Sequence, residues 1–323
     1  MIRYIRYSVV LFVVLMCLYP LGVKADTIAY LSYGKLWVYE AGKSRLVGDA
    51  QFVDVKWYKK PTVAAVHAGN IELVDTTNGR SEKLTSIGNI RNILVLPDKK
   101  KIVFSRLTGD ATECAWQHEI CSVSITDKKI TRIRKLWVVG DVVLEWTIIG
   151  DKVYYLSKID ADDQLVVPRS VLMQLDLSTA KVKSLYTTKQ GNEFLTICRS
   201  WDQTKIVILG YEFQIRFRYD RENDVTYQES VEGSERFYIA QLKLPKPRLT
   251  ISHRFGQDFP VDRIGGALGS CMLSDGSLVF GTRNFSYEDS GAVHESSRLY
   301  RLSFESGETT QIANGYRPDA ISE

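Results

Sequence analysis

One segment of the chain alternates aromatic with basic side chains and is the strongest candidate for recognition. Between residues 211 and 221, four aromatic residues are interspersed with three arginines. Tyr and Arg are enriched among the residues that anchor protein interfaces. We therefore predict that this segment binds a partner; the alternative is an extended hairpin whose aromatic side chains pack on the protein's own surface. The predicted binding residues are Tyr211, Phe213, Arg216, Phe217, Arg218, Tyr219 and Arg221.

Two cysteines bracket a second candidate for recognition. Cys114 and Cys121 flank Trp116 and His118, and a disulfide between the cysteines would close a small loop that presents both of these side chains. The alternative is a pair of free thiols or metal ligands, although no second pair of cysteines lies at zinc-ligand spacing. Two further binding residues are predicted in another long segment, Tyr287 and His294.

Three acidic residues lie close together at Asp160, Asp162 and Asp163. Their carboxylates have the oxygen density of a calcium site, but the segment lacks the glycine and the distant glutamate of an EF-hand loop. A solvated acidic turn is the favoured interpretation, which leaves these residues as weak metal candidates. The four histidines of the chain are scattered without metal-ligand spacing. We therefore predict neither a metal nor a cofactor.

The elements that must position these residues are short strands separated by turns. Residues 264–314 contain four such strands, at 266–273, 277–282, 298–304 and 309–313, and no stretch of the chain has a convincing amphipathic helical period. The second strand of this unit recurs six times, which predicts an all-β fold, a six-bladed β-propeller of four-stranded antiparallel blades. The six copies begin at Ile28, Val63, Ile102, Val153, Ile206 and Leu278.

Five first strands are visible, at 52–57, 93–96, 142–146, 194–198 and 267–273. The first copy has none, so we expect the tail, residues 316–322, to supply it and close the ring; the alternative is a disordered tail. Pro318 counts against a strand there. Cys198 and Cys271 occupy equivalent places in neighbouring first strands, each four residues before a turn aspartate. Equivalent side chains point the same way round a ring, which favours two buried free cysteines over a bridge.

The turn between the first and second strands resembles that of a known family. It has the sequence Leu96-Pro97-Asp98-Lys-Lys-Lys-Ile102-Val-Phe-Ser in the third copy and Leu273-Ser-Asp275-Gly276-Ser-Leu278-Val-Phe-Gly in the sixth. Both are similar to the Pro-Asp-Gly turn and following strand in the WD-like repeats of TolB-type six-bladed propellers. The resemblance covers the propeller domain only. It implies a domain that binds proteins or small ligands in the periplasm or outside the cell.

The first 25 residues have the pattern of a signal peptide. Arg3 and Arg6 precede an apolar run at 9–23, and small residues at 23 and 25 suit cleavage before Asp26. The alternative is an uncleaved anchor. We predict a single propeller domain at 26–323, periplasmic or secreted, with no membrane span after cleavage. Removing three basic residues from 42 leaves 39 against 38 acidic residues, a balance without the footprint of a nucleic-acid-binding protein.

The longest insertions indicate where recognition occurs. They separate second from third strands in copies three to six, at 107–119, 158–170, 212–235 and 283–297. In an up-and-down sheet these connections leave on one face, and loops on a rigid scaffold are where binding residues concentrate. We predict a binding module for an envelope or extracellular protein, a small ligand or a glycan. No catalytic motif is present, but a hydrolase or lyase acting on a glycan or peptide stays as the alternative.

Overall fold

Six four-stranded antiparallel sheets are arranged as the blades of a propeller, as predicted. The computed structural model describes residues 26–111, 115–139, 144–159, 169–220, 225–256, 259–261, 267–287 and 293–322. The predicted signal peptide and its cleavage point lie outside these residues. The described helical structure is a single 3₁₀ turn, Pro97–Lys99, and no helix in the described part of the chain is long and apolar enough to span a membrane.

The strands are numbered in chain order and given from the centre of the ring outward. Blade 1 contains Tyr316–Ile321 (β26), Thr27–Ser32 (β1), Lys35–Glu40 (β2) and Lys43–Gly48 (β3). Blade 2 contains Phe52–Lys59 (β4), Thr62–His67 (β5), Asn70–Asp75 (β6) and Ser81–Lys83 (β7). Blade 3 contains Ile90–Leu96 (β8), Lys101–Ala111 (β9), Ala115–Ser124 (β10) and Ile130–Val139 (β11).

The second half of the ring repeats this plan with one addition. Blade 4 contains Trp146–Ile149 (β12), Lys152–Ile159 (β13), Arg169–Asp176 (β14) and Val182–Thr187 (β15). Blade 5 contains Asn192–Arg199 (β16), Lys205–Glu212 (β17), Arg236–Lys243 (β20) and Arg248–Phe255 (β21), and a separate hairpin, Ile215–Asp220 (β18) with Val225–Ser230 (β19), is inserted between its two middle strands. Blade 6 contains Ala267–Met272 (β22), Leu278–Tyr287 (β23), Val293–Leu302 (β24) and Thr309–Ala313 (β25).

The C-terminal strand closes the ring, as predicted. β26 pairs with β1, with Thr27 opposite Ile321 and Ala29 opposite Asp319. The pairing is irregular between Ala29 and Leu31, opposite the part of β26 that contains Arg317 and Pro318. A proline is tolerated there because β26 is an edge strand. The irregular pairing also needs no backbone N–H donor at this position, and proline has none.

Apolar burial occurs mainly between blades. Six buried clusters occupy the six interfaces between neighbouring sheets, and each draws side chains from both sheets. For example, Ile28 and Tyr30 of blade 1 pack with Val279 and Leu299 of blade 6. Since a blade alone leaves both of its faces uncovered, each sheet depends on its neighbours for the burial of its apolar side chains.

The connections between strands leave the ring on two opposite faces. Links from second to third strands, and links between blades, leave on one side, which we call the loop face. Links from first to second and from third to fourth strands leave on the other side, the turn face. The assignment follows from the antiparallel order of every blade.

The loop face is uneven, because its connections are short in two blades and long in the others. In blades 1 and 2 the middle strands have six residues each and are joined by two-residue turns, Tyr33-Gly34 and Ala68-Gly69, in which every residue has a positive φ. Such turns match the twist of a hairpin. Gly69 is also required sterically, because a Cβ there would lie 2.7 Å from the backbone nitrogen of Asn89. In blades 3 and 6 the middle strands extend to ten or eleven residues.

One predicted first strand was misplaced. We expected residues 142–146 to form the inner strand of blade 4, whereas that strand is β12. Apolar residues recur at Leu144, Trp146, Ile148 and Ile149, so hydrophobicity alone does not fix where the strand begins. Leu144 instead forms two hydrogen bonds with the Asn92 side chain of blade 3, which hold the entry to β12.

Candidate functional site

The inserted hairpin of blade 5 is anchored at its base on the loop face. The Val231 amide donates to the Gln214 carbonyl oxygen at 2.9 Å, and the Gln214 amide donates to the Ser234 hydroxyl at 3.0 Å. The Phe213 amide donates to the Gly191 carbonyl oxygen at 2.8 Å. These bonds hold the entry and exit of the hairpin together. The hairpin itself shares no ladder with the blade, because β18 and β19 form a two-stranded sheet of their own.

The predicted binding residues in the outer part of this hairpin lie on its first strand. Arg216 and Arg218 are exposed, and Tyr219 is 55% exposed. Because strand side chains alternate, the two arginines share one side of the ribbon and Tyr219 lies on the other. Phe217 lies between the two arginines in β18, and Arg221 lies outside the described residues.

The first two aromatic residues of the segment belong to the core instead. Tyr211 is 2% exposed, and its ring lies 5.5 Å from that of Phe213 and 5.1 Å from that of Phe237. The row of rings continues through Phe259 into blade 6. The prediction that Tyr211 belongs to an exposed binding surface is therefore wrong. The alternative, in which the aromatic side chains pack on the protein itself, is correct at this end of the segment. The reason is that Tyr211 lies inside the strand β17, which pairs with β20, and not in the connection that follows it.

In blade 3 the predicted recognition loop is a long hairpin whose central residues are buried. Trp116 is half-buried, and His118 is fully buried on β10 between Leu107 and Leu136 of the flanking strands. Burial lowers the pKa of His118 to about 4, so the ring is neutral at physiological pH. The prediction of His118 as a surface-binding residue is thus wrong, because β10 already begins at Ala115, inside the segment that we predicted to be a loop.

The next residue along β10 contributes a charged group to the loop-face side of blade 3. The Glu119 carboxylate is 2% exposed and accepts a hydrogen bond from Arg106 Nε at 2.7 Å. Arg132 forms a second ion pair with this carboxylate. Neither sequence motif nor spacing predicted this cluster, whose members come from three strands.

The predicted bridge between Cys114 and Cys121 is not present, because Cys121 is a free, buried cysteine. Cys114 lies outside the described residues. Ala115 and Cys121 lie on one strand six residues apart, about 20 Å at the usual rise per residue. A disulfide needs Cα atoms within about 7 Å of each other. Cys121 instead packs with Phe104 and Ile102 between blades 2 and 3, and burial raises its pKa to about 11.

The remaining sequence candidates are only partly described. Asp160, Asp162 and Asp163 lie outside the described residues, so the weak calcium candidate stays a prediction. Tyr287 ends β23 and His294 lies near the start of β24, and their backbones place both at the outer end of the blade 6 hairpin on the loop face. Among the described residues, no group of three or more His, Cys, Asp or Glu side chains is placed to hold a metal ion.

The ring also encloses a charged channel that the sequence analysis did not predict. Arg317 is 8% exposed and lies between two carboxylates of other blades, with Nη1 3.6 Å from Asp54 Oδ1 and Nη2 3.9 Å from Glu145 Oε1. Arg317 has φ 52°, a left-handed conformation at the irregular part of β26. Irregularities of this kind re-aim a side chain.

Both carboxylates of this cluster have further hydrogen-bond partners. Asp54 accepts the amide of Ile93 at 2.9 Å, which joins blade 2 to blade 3. Glu145 accepts the hydroxyl of Thr196 at 2.6 Å, which joins blade 4 to blade 5. Burial raises the pKa of Glu145, and Arg317 and the Thr196 hydrogen bond offset this only in part. The cluster therefore connects the inner strands of five blades at the loop-face end of the channel. Four of its residues lie in β26, β4, β8 and β16, and Glu145 directly precedes β12.

Towards the turn face the channel opens into a cavity of about 260 Å³, to which all six blades contribute. Lys56, Arg199 and Asp319 are its charged residues. Asp319 accepts the Trp57 amide at 2.7 Å, and burial raises the pKa of this aspartate despite the nearby Lys56. Burial alone would lower the pKa of Lys56, but the Asp54 and Asp319 carboxylates raise it.

Cys198 and Cys271 also line this cavity, and both are free and buried, as predicted. Cys198 packs at the interface of blades 5 and 6, whereas Cys271 packs at the interface of blades 6 and 1. Equivalent positions thus point the same way round the ring. Burial raises the pKa of Cys198 to about 12 and also raises that of Cys271.

Comparison with known proteins supports the fold at low sequence identity. No protein-family model matches the chain, and no curated protein matches its sequence. Among solved structures, a protein assigned as TolB from Agrobacterium tumefaciens has a TM-score of 0.55 and 12% identity, covering 91% of this chain and 92% of that chain. A Bacteroides caccae protein of unknown function has a TM-score of 0.51 and 12% identity, covering 93% and 100% of the two chains.

A third solved structure with a similar fold carries the name of an enzyme. Hydrazine synthase from Kuenenia stuttgartiensis has a TM-score of 0.51 and 11% identity, covering 87% of this chain and 89% of that chain. Identities this low relate the folds and not the activities. Together with the six closed blades, they show that this chain is a six-bladed β-propeller with a TolB-like fold.

Proposed function

We propose that this chain is an exported, non-enzymatic binding module that recognises an envelope or extracellular protein through the loop face of blades 3 to 6. The observation that supports this most directly is the β18–β19 hairpin, which stands outside the blade ladder and exposes Arg216, Arg218 and Tyr219. The Arg3, Arg6 and apolar pattern of residues 1–25 supports export.

The hairpin is not needed to build the propeller. Blades 1 and 2 form complete sheets with two-residue turns at the same position, and β17 pairs with β20 along its whole length without help from the insert. Ordering additional residues costs conformational entropy. A role in recognition accounts for an insert that the blade ladder does not use.

The shape of the hairpin favours a protein over a small molecule. Small ligands are bound in concave sites that bury most of their surface. A projecting two-stranded ribbon instead adds convex area with Arg and Tyr, the types that anchor protein interfaces. The long hairpins of blades 3 and 6 lie on the same face and extend the surface towards the roughly 800 Å² that a standard interface buries on each partner.

The test is affinity capture from an envelope extract with the mature wild-type protein and three variants of it. In the first variant, residues 215–230 are replaced by two glycines, since Gln214 and Val231 are already hydrogen-bonded. The second carries Arg216→Ser, Arg218→Ser and Tyr219→Ser. The control carries Lys181→Ser and Lys183→Ser, both exposed at the turn-face end of blade 4. Circular dichroism verifies that each variant is folded.

We expect a protein that the wild type and the control retain and that both hairpin variants lose. Retention of the same proteins by all forms would contradict the proposal. Turnover of a glycan or peptide panel by the wild type, with no retained protein, would instead favour the hydrolase or lyase alternative.

A further inference from the structure

The side of blade 3 that faces blade 2 is uncovered at its loop-face end. Blade 2 turns back at Gly69, whose carbonyl oxygen accepts the Ile90 amide at 3.0 Å, whereas β9 and β10 continue beyond this level. The Leu107 amide donates to the Asn89 carbonyl oxygen at 3.0 Å, so the link between the blades follows β9 only this far. The result is a cleft of about 360 Å³ that is lined by blade 3 and Asn89, and by no described strand of blade 2.

The two middle strands of blade 3 place opposite charges on this side. Phe104 of β9 and Cys121 of β10 pack against blade 2. Because strand side chains alternate, Arg106 and Glu119, each two residues away, point to the same side. Both side chains line the cleft.

The outer strand β11 adds two cations to the cleft. Lys135 lies opposite Glu119 in the ladder, and Arg132 forms an ion pair with Glu119. Leu136 packs towards blade 4, so its neighbour Lys135 points the other way, over the cleft. Arg134 faces blade 4, where its Nη1 donates to a backbone carbonyl oxygen at 2.6 Å. The residues that line the cleft therefore include three cations and one carboxylate.

Glu119 orients two arginines and leaves most of their donors available. Arg106 Nε donates to the carboxylate at 2.7 Å, and Arg132 pairs with it through Nε as well. Among the described residues, the Nη groups of both arginines have no hydrogen-bond or ion-pair partner, and the Lys135 ammonium has none either. Arg132 is 66% exposed, so further acceptors reach it from solvent. Groups that are already oriented lose less entropy when they bind an anion.

The spacing of the cations favours a peptide over one small anion. β9 and β11 lie on either side of β10, so the backbones at Arg106 and Lys135 are about 10 Å apart at the usual strand spacing. Alternate residues of an extended peptide point the same way and are about 7 Å apart. The long Arg and Lys side chains span the difference. Trp137, two residues beyond Lys135 on the same side of β11, is 53% exposed and presents an apolar surface beside the cations.

We propose that this cleft binds an acidic peptide segment of a protein partner, with two carboxylates in alternate positions on the cations and an apolar side chain on Trp137. Arginine clusters bind acidic motifs through charge-assisted, often bidentate hydrogen bonds. The inference rests on the proposed function, because it names the chemistry of the segment that the loop face recognises at blade 3.

The experiment measures binding of two matched pentapeptides to the mature protein by fluorescence anisotropy. Both have serine at the second and fourth positions, leucine at the fifth, a C-terminal amide and an N-terminal dye without net charge. The acidic peptide has glutamate at the first and third positions, where the control peptide has glutamine. The variants are Lys135→Gln, which leaves both ion pairs of Glu119 intact, and Arg132→Gln with Lys135→Gln. Arg134→Gln is the matched control, because it makes the same charge change on the opposite side of β11.

We expect the acidic peptide to bind about tenfold or more tightly than the glutamine peptide, because only the carboxylates gain charge-assisted hydrogen bonds. Lys135→Gln weakens binding of the acidic peptide, and the double variant removes the preference. Arg134→Gln preserves it. The protein without residues 215–230 should bind both peptides as the wild type does. Circular dichroism verifies that each variant is folded.

Four results would overturn the inference. They are no binding of the acidic peptide at about 1 mM, equal affinity for the two peptides, an unchanged preference in the double variant, and an equal loss in Arg134→Gln. Displacement of the peptide by about 5 mM inorganic phosphate at matched ionic strength would also contradict it, since this result indicates a site for a small oxyanion. The peptides are tested without the captured partner, so failure here is distinguishable from failure of the proposed function, which depends on the β18–β19 hairpin.

Discussion

Arg317→Met should destabilise the ring strongly, because it removes the guanidinium that lies between the Asp54 and Glu145 carboxylates. The Arg317 guanidinium lies 3.6 Å from Asp54 and 3.9 Å from Glu145, and the side chains of Arg317 and Asp54 are only 9% and 1% exposed. Breaking a buried ion pair from one side typically costs about 3–5 kcal/mol. Since both distances exceed that of a direct hydrogen bond, we expect a loss of about 3 kcal/mol at neutral pH.

The loss should depend on pH with a definite sign. Burial already raises the pKa of Glu145 above its unfolded value of 4.5, and removal of Arg317 raises it further. Between the unfolded and folded pKa values the folded state binds more protons than the unfolded state, so stability falls as pH rises through this window. The deficit of Arg317→Met relative to the wild type should therefore be smaller at pH 5 than at pH 7.5.

Urea unfolding at the two pH values measures this deficit, with Arg301→Met as the control. Arg301 forms an ion pair with Asp275 at the surface and is 47% exposed, so its replacement should cost less than about 1 kcal/mol. A loss below about 1 kcal/mol for Arg317→Met, or a deficit that grows as pH falls, would refute the account of the channel cluster.

Three further predictions follow from the fold. Ending the chain at Gly315 removes β26, and hydrogen exchange of β1 should accelerate to the rate of an unprotected segment, with aggregation through the open edge; persistent protection would contradict closure by the tail. Gly210→Ala places a Cβ 2.3 Å from the Tyr238 ring and should cost about 1–3 kcal/mol in urea unfolding, whereas an unchanged midpoint would show that the ring moves freely. Burial raises the pKa of Cys198 to about 12, so this residue should have roughly a thousandfold less thiolate than an ordinary thiol. Cys198 and Cys271 should therefore react with a thiol reagent at pH 8 only after denaturation. Rapid labelling of the native protein would be inconsistent with their burial.

The repeat pattern predicted the blades well because each strand is short, alternates in polarity and ends at a turn with distinctive residues. The tail strand was predictable from the missing first strand of blade 1, even with Pro318 in it, because the ring requires closure. The free state of Cys198 and Cys271 followed from the rotational symmetry of equivalent positions. The alternation of polar and apolar residues is a weaker guide to where a strand begins or ends, which explains the misplaced inner strand of blade 4.

Side-chain burial in the long hairpins was less predictable. Tyr211 and His118 looked like loop residues, but they lie inside the strands β17 and β10, and both side chains are buried. The channel was missed because its charges come from separate blades, far apart in sequence. A usable signal was present, since Asp54 and Lys56 interrupt an otherwise apolar inner strand and Arg317 lies in the tail strand.

The most direct test of recognition on the loop face is hydrogen exchange of the mature protein with and without its captured partner. Our account predicts that the partner protects residues 215–230 and the outer ends of β9, β10, β23 and β24, and that exchange in the turns between third and fourth strands is unchanged. Protection confined to the turn face, with an unaltered hairpin, would contradict it.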